Sequence, residues 1–194
     1  MLPGDFPHYS RVQRYFYARR DEPSPSAAII DSEAVKTNVS GGPRGSDAGK
    51  KIKDRKRHIV TDTLGLLVGA AIHPADVQDR VGAVLLIQDL HGLFPWLRHL
   101  FADAAYGGAK LHDALANLGQ WTIEIVRRPT QATGFEVLPR RWVVERTLAW
   151  LNRNRRLAKD FEASIASAKA WLLIASLQLL IRRMARVTYN LSDS

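Results

Sequence analysis

Three carboxylates in this chain have the residue type and the setting to hold a divalent cation: Asp31, Asp103 and Glu145. Asp31 ends the apolar run from Ala27 and Asp103 ends the run from Leu97, each read as a buried strand, while Glu145 lies in a later helical stretch. Hard oxygen donors from two strand ends and one helix suit Mg2+ or Mn2+, which take carboxylates and leave positions for water and a substrate phosphate. Open α/β sheets also gather ligands beyond the carboxyl ends of their strands. The intervals, 72 residues from Asp31 to Asp103 and 42 from Asp103 to Glu145, say little by themselves. Each acid has a plainer reading: Asp31 as a turn or cap residue before Ser32, and Asp103 as a loop residue ahead of Gly107 and Gly108. Glu145 can simply pair with Arg141 at i,i+4, an interaction worth about 0.2–0.5 kcal/mol on a solvated helix.

The helix that must present Glu145 is expected within Pro139 to Glu162. At about 100° per residue, Arg141, Glu145, Ala149, Asn152 and Arg156 share one stripe, and Val143, Val144, Trp150, Leu151 and Leu157 fall mostly opposite. Glu145 therefore sits on the polar face of an amphipathic helix. Other chemistry-bearing residues have structural explanations. Asp62 belongs to a hairpin turn, Asp76 and Asp79 cap a following helix, and His73 is a strand-end residue. Trp142 and Trp150 could stack on bases, but Trp150 lies on the core side of the helix, which favours packing.

Basic charge is concentrated around these elements. Of a net +9, Lys50 to Arg57 carries +5 and Arg140 to Lys159 carries +6, leaving the remainder near neutral. Two basic patches on a neutral body point to a polyanion track, although charge alone does not separate DNA from RNA or anionic lipid.

The supporting elements read in order as a strand at Ala27 to Asp31, a Gly-rich loop at Gly41 to Gly49, and strands at Lys56 to Asp62 and Leu64 to Ile72 joined by a tight turn at Thr63 to Gly65. A helix from Ala75 to Leu90, a strand at Leu97 to Asp103, a short helix stopped by Gly119 and a strand at Thr122 to Arg127 follow, before two long helices, the second over Ile165 to Arg186. This is an α/β order with a mixed sheet. Ahead of it, Tyr9 to Arg20 has helical character and Pro23 to Ser26 reads as a linker. With 46% apolar residues, 194 residues suffice for one substantial core. The absence of cysteine excludes disulfides and thiolate metal sites and fits a reducing compartment. No secretory h-region is visible near Met1, and the apolar run Ala170 to Ile181 falls short of the roughly 20 residues of a bilayer span, so it is expected to be a buried helix.

The segments AAIIDSEAVKT, GKKIKDRKRHIVTDTLGLL, HPADVQDR, FADAAYGG and LPRRWVVERTLAWLNRNRRLAKDFE, in this order, resemble the DDE transposases of bacterial insertion sequences over about Pro25 to Arg186. The resemblance implies a ribonuclease-H-like mixed sheet flanked by helices, with Asp31, Asp103 and Glu145 as the catalytic and metal-binding acids. It implies two ions, Mg2+ or Mn2+, and metal-dependent cleavage and strand transfer of DNA by in-line phosphoryl transfer. Lys50, Lys51, Lys53, Arg55, Lys56, Arg57, Arg141, Arg153, Arg155 and Arg156 are then expected to hold DNA phosphates. Of a Tyr, Arg, Glu, Lys signature found in relatives, Arg141 and Glu145 match, whereas Leu138 and Asn152 stand at the Tyr and Lys positions, with Arg153 next to the latter. The implied organisation is a residual N-terminal helical segment and linker at 1–26, the catalytic domain at 27–187 and a tail at 188–194. The implied partners are element-end and target DNA and a second copy of the chain, with no membrane and no small-molecule substrate, in the bacterial cytoplasm at the nucleoid. Relatives carry a longer N-terminal DNA-end-recognition region, so the chain is expected to be N-terminally shortened. That leaves two alternatives in view: an inactive, DNA-binding remnant acting as a regulator, and a ribonuclease-H-like nuclease without strand transfer.

Overall fold

The computed structural model describes residues 25–38, 42–46, 53–119, 121–127 and 140–192. At its centre is β1 (Ala27–Lys36), in which Ala28, Ile29 and Ile30 are all buried, so both faces of the strand are covered. β3 (Lys53–Asp62) pairs antiparallel with one side of β1, and β5 (His99–Ala102) pairs parallel with the other. β6 (Thr122–Ile125) continues the sheet parallel to β5; on the far side of β3 lie β4 (Leu67–Pro74) and the two-residue β2 (Gly45–Ser46), both antiparallel to it. β4, β3 and β1 run antiparallel and β5 and β6 run parallel to β1, which with the short β2 makes a six-stranded mixed sheet.

Period-two alternation sends neighbouring side chains into different cores. Ile30 and Val60 join Val68, Leu86, Leu90 and Leu100 under α1 (Asp79–Leu93) and α2 (Ala109–Leu118), whereas Ile29 and Ile59 join Leu67, Val144, Leu151 and Leu172 under α3 (Arg141–Asn152) and α4 (Ile165–Ser192). Fully burying one such side chain contributes about 1.5–3 kcal/mol, so the two layers of helices are what stabilise a sheet whose central strands are covered on both faces.

The β3–β4 hairpin closes as expected. Asp62 Oδ1 accepts from the Leu64 and Leu66 amides, and Gly65 takes φ 82°. A Cβ at Gly65 would stand 2.8 Å from Thr147 Oγ1, which itself donates to the Gly65 carbonyl. The turn is thereby pinned to α3.

Several boundaries differ from expectation. β1 does not stop at Asp31 but runs on to Lys36, because β3 keeps pairing with it down to Lys36↔Asp54. α3 ends at Asn152, where the Leu157 amide turns back to the Asn154 carbonyl, so Arg156 leaves the Glu145 stripe. Asp79 does not cap α1: the N-cap is Gln78, without a side-chain bond, and the Asp79 carboxylate points inward to Ser32 Oγ at 2.9 Å and Lys56 Nζ at 3.1 Å. Ala170 to Ile181 is only partly buried. Leu172, Ala175 and Leu180 are covered while Ile181 is 55% exposed. Ile165–Ala185 has the length and hydropathy to cross a membrane, yet its buried side packs on the sheet and α3. The expected helix at Tyr9 to Arg20 lies outside the described residues.

Candidate active site

The parallel register of β1 and β5 decides where two of the acids meet. Ala27 lies opposite His99 and Ile29 opposite Phe101; carried two residues on, the same register sets Asp31 beside Asp103. Asp31 stays within its strand and accepts from the Ser32 amide at 2.7 Å. Asp103 follows β5 in extended conformation and caps the short 3-10 turn Ala104–Tyr106, its Oδ1 accepting from the Ala105 amide at 2.9 Å.

α3 brings the third acid. Glu145 Oε1 lies 3.1 Å from Arg141 Nη2, and the same nitrogen lies 3.9 Å from Asp103 Oδ2. The plain i,i+4 pair is therefore present, but its arginine also faces Asp103, so one guanidinium stands between two of the three carboxylates. Burial first, then the negative charges of Asp103 and Glu145, push the Asp31 carboxyl up to about 6, against the Ser32 amide and Arg141, which pull it down. Among the described residues no three acidic or histidine side chains are drawn together closely enough to hold an ion as they stand. The donor set nevertheless fits a hard divalent cation in its chemistry: three carboxylates, with Asp31 feeling the charge of the other two and Arg141 lying between Asp103 and Glu145.

Beneath the acids lies a buried polar network that local sequence did not reveal. The Tyr106 hydroxyl meets His58 Nδ1 at 3.2 Å and also bonds the Ser32 side chain. Burial holds the Tyr106 phenol protonated, and His58 Nε2 lies 3.7 Å from Asp79 Oδ1. Burial and the neighbouring His73 push His58 down to about 3, so it is neutral at pH 7. The network links the residue after Asp31 to the residue that closes the Asp103 turn. His73 is structural, as expected: its Nδ1 contacts the Pro74 carbonyl and its ring centroid lies 4.5 Å from that of His58. Glu33, two residues beyond Asp31 on the same face of β1, is a fourth acid near the site, held by Asn152 Nδ2 at 2.7 Å and Arg57 Nη1 at 3.4 Å. Its i+2 spacing from Asp31 was the available signal.

The basic residues divide sharply. Arg55 is fully buried, ion-paired to Asp160 at 3.1 Å and bonded to the carbonyls of Pro43 and Glu162. Arg57 is 2% exposed and donates to the Leu157 carbonyl, and Lys56, 8% exposed, donates to the Val77 carbonyl and pairs with Asp79. These three do not face a polyanion, because β3 is covered on both sides and their charges are satisfied internally. Lys50 and Lys51 lie outside the described residues, as does the side chain of Lys53. Of the second run, Arg141 faces the acids and Arg153 and Arg155 are exposed just past α3, while Arg156 is paired with Glu162 and stacked over Phe161 and Trp171. Trp150 is half-buried, not a core residue. Its ring meets Arg146 at 4.6 Å and Arg183 at 4.9 Å, and Arg146 also covers Trp142 at 4.2 Å.

Comparison with known proteins adds three findings. Residues 22–180 match the family described as Transposase DDE domain. The chain is 34% identical over 129 residues to a putative transposase for insertion sequence element IS402 from Burkholderia cepacia, and the match spans 62% of this chain but only 59% of that relative. Among solved structures, the catalytic core domain of BIV integrase is similar at a TM-score of 0.49 and 17% identity, covering 79% of this chain and 82% of that one. The catalytic domain of Mos1 mariner transposase is similar at 0.46 and 13%, covering 84% and 75%.

Proposed function

Because the chain belongs to the DDE transposase family, we propose that it cleaves DNA strands at the ends of an insertion sequence and transfers them to target DNA, using Asp31, Asp103 and Glu145 as its catalytic acids. The observation that carries this is the convergence of the three acids: two set side by side by the β1–β5 register, and the third facing them across Arg141. Asp31, Asp103 and Glu145 would hold a pair of Mg2+ or Mn2+ ions, which when bound would supply Lewis-acid chemistry at a phosphodiester.

The chain's own residues do the rest. The sheet fixes Asp31 and Asp103 relative to one another, and the Ser32 and Ala105 amides orient one oxygen of each, leaving the other oxygen for a ligand. Glu145, half-exposed on the outer helix, closes the set from the solvent side. Arg141 balances the acids and stands where a scissile phosphate would arrive, so it is the first phosphate contact we assign. Lys53, Arg153 and Arg155, with Lys50 and Lys51, are assigned to the DNA backbone, where they raise affinity without choosing sequence. We assign the catalytic domain to 27–187, DNA ends and target as partners, a homodimer as the acting form because two ends are joined, and the bacterial nucleoid as the place of action.

The test is incubation of the purified chain with Mg2+ or Mn2+ and a DNA carrying element ends, beside Glu145→Gln. Metal-dependent nicking and joining that disappear in the variant support the assignment. Nicking without joining supports a nuclease, and salt-sensitive binding without products from either protein supports a DNA-binding remnant.

A further inference from the structure

Glu33 stands beside the site without a part in the chemistry proposed above. Both of its oxygens are engaged: Asn152 Nδ2 donates to Oε2 at 2.7 Å, and Arg57 Nη1 donates to Oε1 at 3.4 Å. Its charge is offset from within the fold, which leaves little to draw an ion. Arg57 lies opposite Glu33 in the β1–β3 register, and the same nitrogen donates to the Leu157 carbonyl at 2.8 Å. The carboxylate is thus held from the sheet, and it holds in turn the last residue of α3.

Asn152 follows Glu145 by seven residues, two turns that bring it back to within about 20° of the same stripe and about 10 Å further along the axis. Glu33 follows Asp31 by two residues on the same face of β1, about 7 Å along the strand. One row of the strand therefore faces one stripe of the helix, with the acids at one end and the Asn152 bond at the other. Other contacts of α3 leave that alignment open. Burial of Val144, Leu148 and Leu151 presses the helix to the sheet, but apolar attraction has no direction. Thr147 ties it to the hairpin turn at Gly65 and not to β1. At the end nearer Glu145, the N-cap residue Arg140 makes no side-chain cap bond. The Glu33–Asn152 bond is directional, and it joins the strand of Asp31 to the helix of Glu145.

We infer that Glu33 and Asn152 are positioning residues: their hydrogen bond sets the rotation and height of α3 on β1, and so aims Glu145 at the place where Asp31 and Asp103 take a metal. This rests on the reading of the three acids under the proposed function, and assigns neither residue to metal or to DNA.

The test exchanges the two polar groups while conserving their shapes. Glu33→Gln puts one acceptor and one donor where Asn152 and Arg57 both donate, so one of the two contacts becomes donor against donor. Asn152→Asp sets a second carboxylate against Glu33. In the double variant the new amide at 33 donates to the new carboxylate at 152 while its oxygen accepts from Arg57, restoring the bond with its direction reversed.

Mn2+ affinity is measured by isothermal titration of each full chain without DNA. Single-turnover nicking of a duplex carrying element ends is measured beside the affinity for that duplex in chelator. Each single variant is expected to lose roughly 10- to 100-fold in Mn2+ affinity and in nicking rate, with duplex affinity unchanged, so that the loss lies in the chemical step. The double variant is expected to recover to within a few-fold of the native chain. Undiminished single variants, a double variant no better than the singles, or losses equal to the unfolded fraction in each variant's melt overturn the inference and leave the transposase reading standing. A native chain that neither takes up Mn2+ nor nicks overturns both. If it takes up Mn2+ yet never nicks, the transposase reading falls, and the Mn2+ affinities of the variants decide the inference by the same comparison.

Discussion

Replacing Asp31 with asparagine is expected to stabilise the fold while removing a catalytic acid. The folded-state pKa of Asp31 is about 6 against an ordinary 3.8, and one unit corresponds to about 1.4 kcal/mol. Ionised Asp31 therefore penalises the folded state by about 3 kcal/mol at neutral pH. A carboxyl raised in this way favours the fold when protonated, so its contribution is fully present below pH 3.8 and is lost as the pH climbs through about 6. Asparagine keeps an Oδ1 to accept the Ser32 amide and loses the attraction to Arg141, which leaves a net gain of about 1–3 kcal/mol. For a domain of this size that is a rise in Tm of about 2–10 °C. Thermal unfolding of the native chain and Asp31→Asn in chelator-containing buffers from pH 3.5 to 8 measures it: the variant should lead at pH 7.5 and the curves should merge below pH 4. A variant no more stable than the native chain at pH 7.5, or a gap that does not change with pH, would refute the claim that burial, with the neighbouring acids adding to it, penalises the ionised Asp31 carboxylate.

Three further substitutions test the scaffold. Arg55→Gln strands the buried Asp160 carboxylate and should lower stability by about 3–5 kcal/mol, read by urea unfolding, while the salt slope of DNA binding stays unchanged. Tyr106→Phe removes the hydroxyl that bonds His58 Nδ1 and should lower stability by about 1–3 kcal/mol; in the fingerprint NMR spectrum its largest shifts should fall at Ser32 and in the Asp103 turn. Gly65→Ala combines a left-handed φ with a 2.8 Å approach to Thr147 Oγ1, and a loss of at least about 1 kcal/mol is expected, with a low-temperature shoulder in the melt if the hairpin detaches from α3.

The order of the strands along the chain and the Asp62 turn were legible because each rests on local pattern: apolar runs, alternation and turn chemistry. Partnering was not legible. Lys56, Arg55 and Arg57 look like a charged surface run, yet their partners Asp79, Asp160 and Glu33 come from distant parts of the chain, and only the assembled sheet shows that β3 has no open face. The end of α3 escaped for a related reason. Helical spacing continues on paper through Arg156, but the chain turns at Asn152 so that Leu157 can enter the core and Arg57 can bond its carbonyl. His58 and Tyr106 stand 48 residues apart, and nothing short of the β1–β3 register, which sets His58 opposite Ser32, predicts that they meet.

The parallel pairing of β1 with β5 also sets an order of assembly during synthesis. Asp31 gains its neighbour only when the crossover through β3, β4 and α1 has been made and folded, and Glu145 leaves the ribosome later still. Non-local parallel pairing is slow to form and depends on the intervening chain. No nascent fragment ending before α3 carries all three acids, so the cluster comes into being only after both strands and that helix have been made.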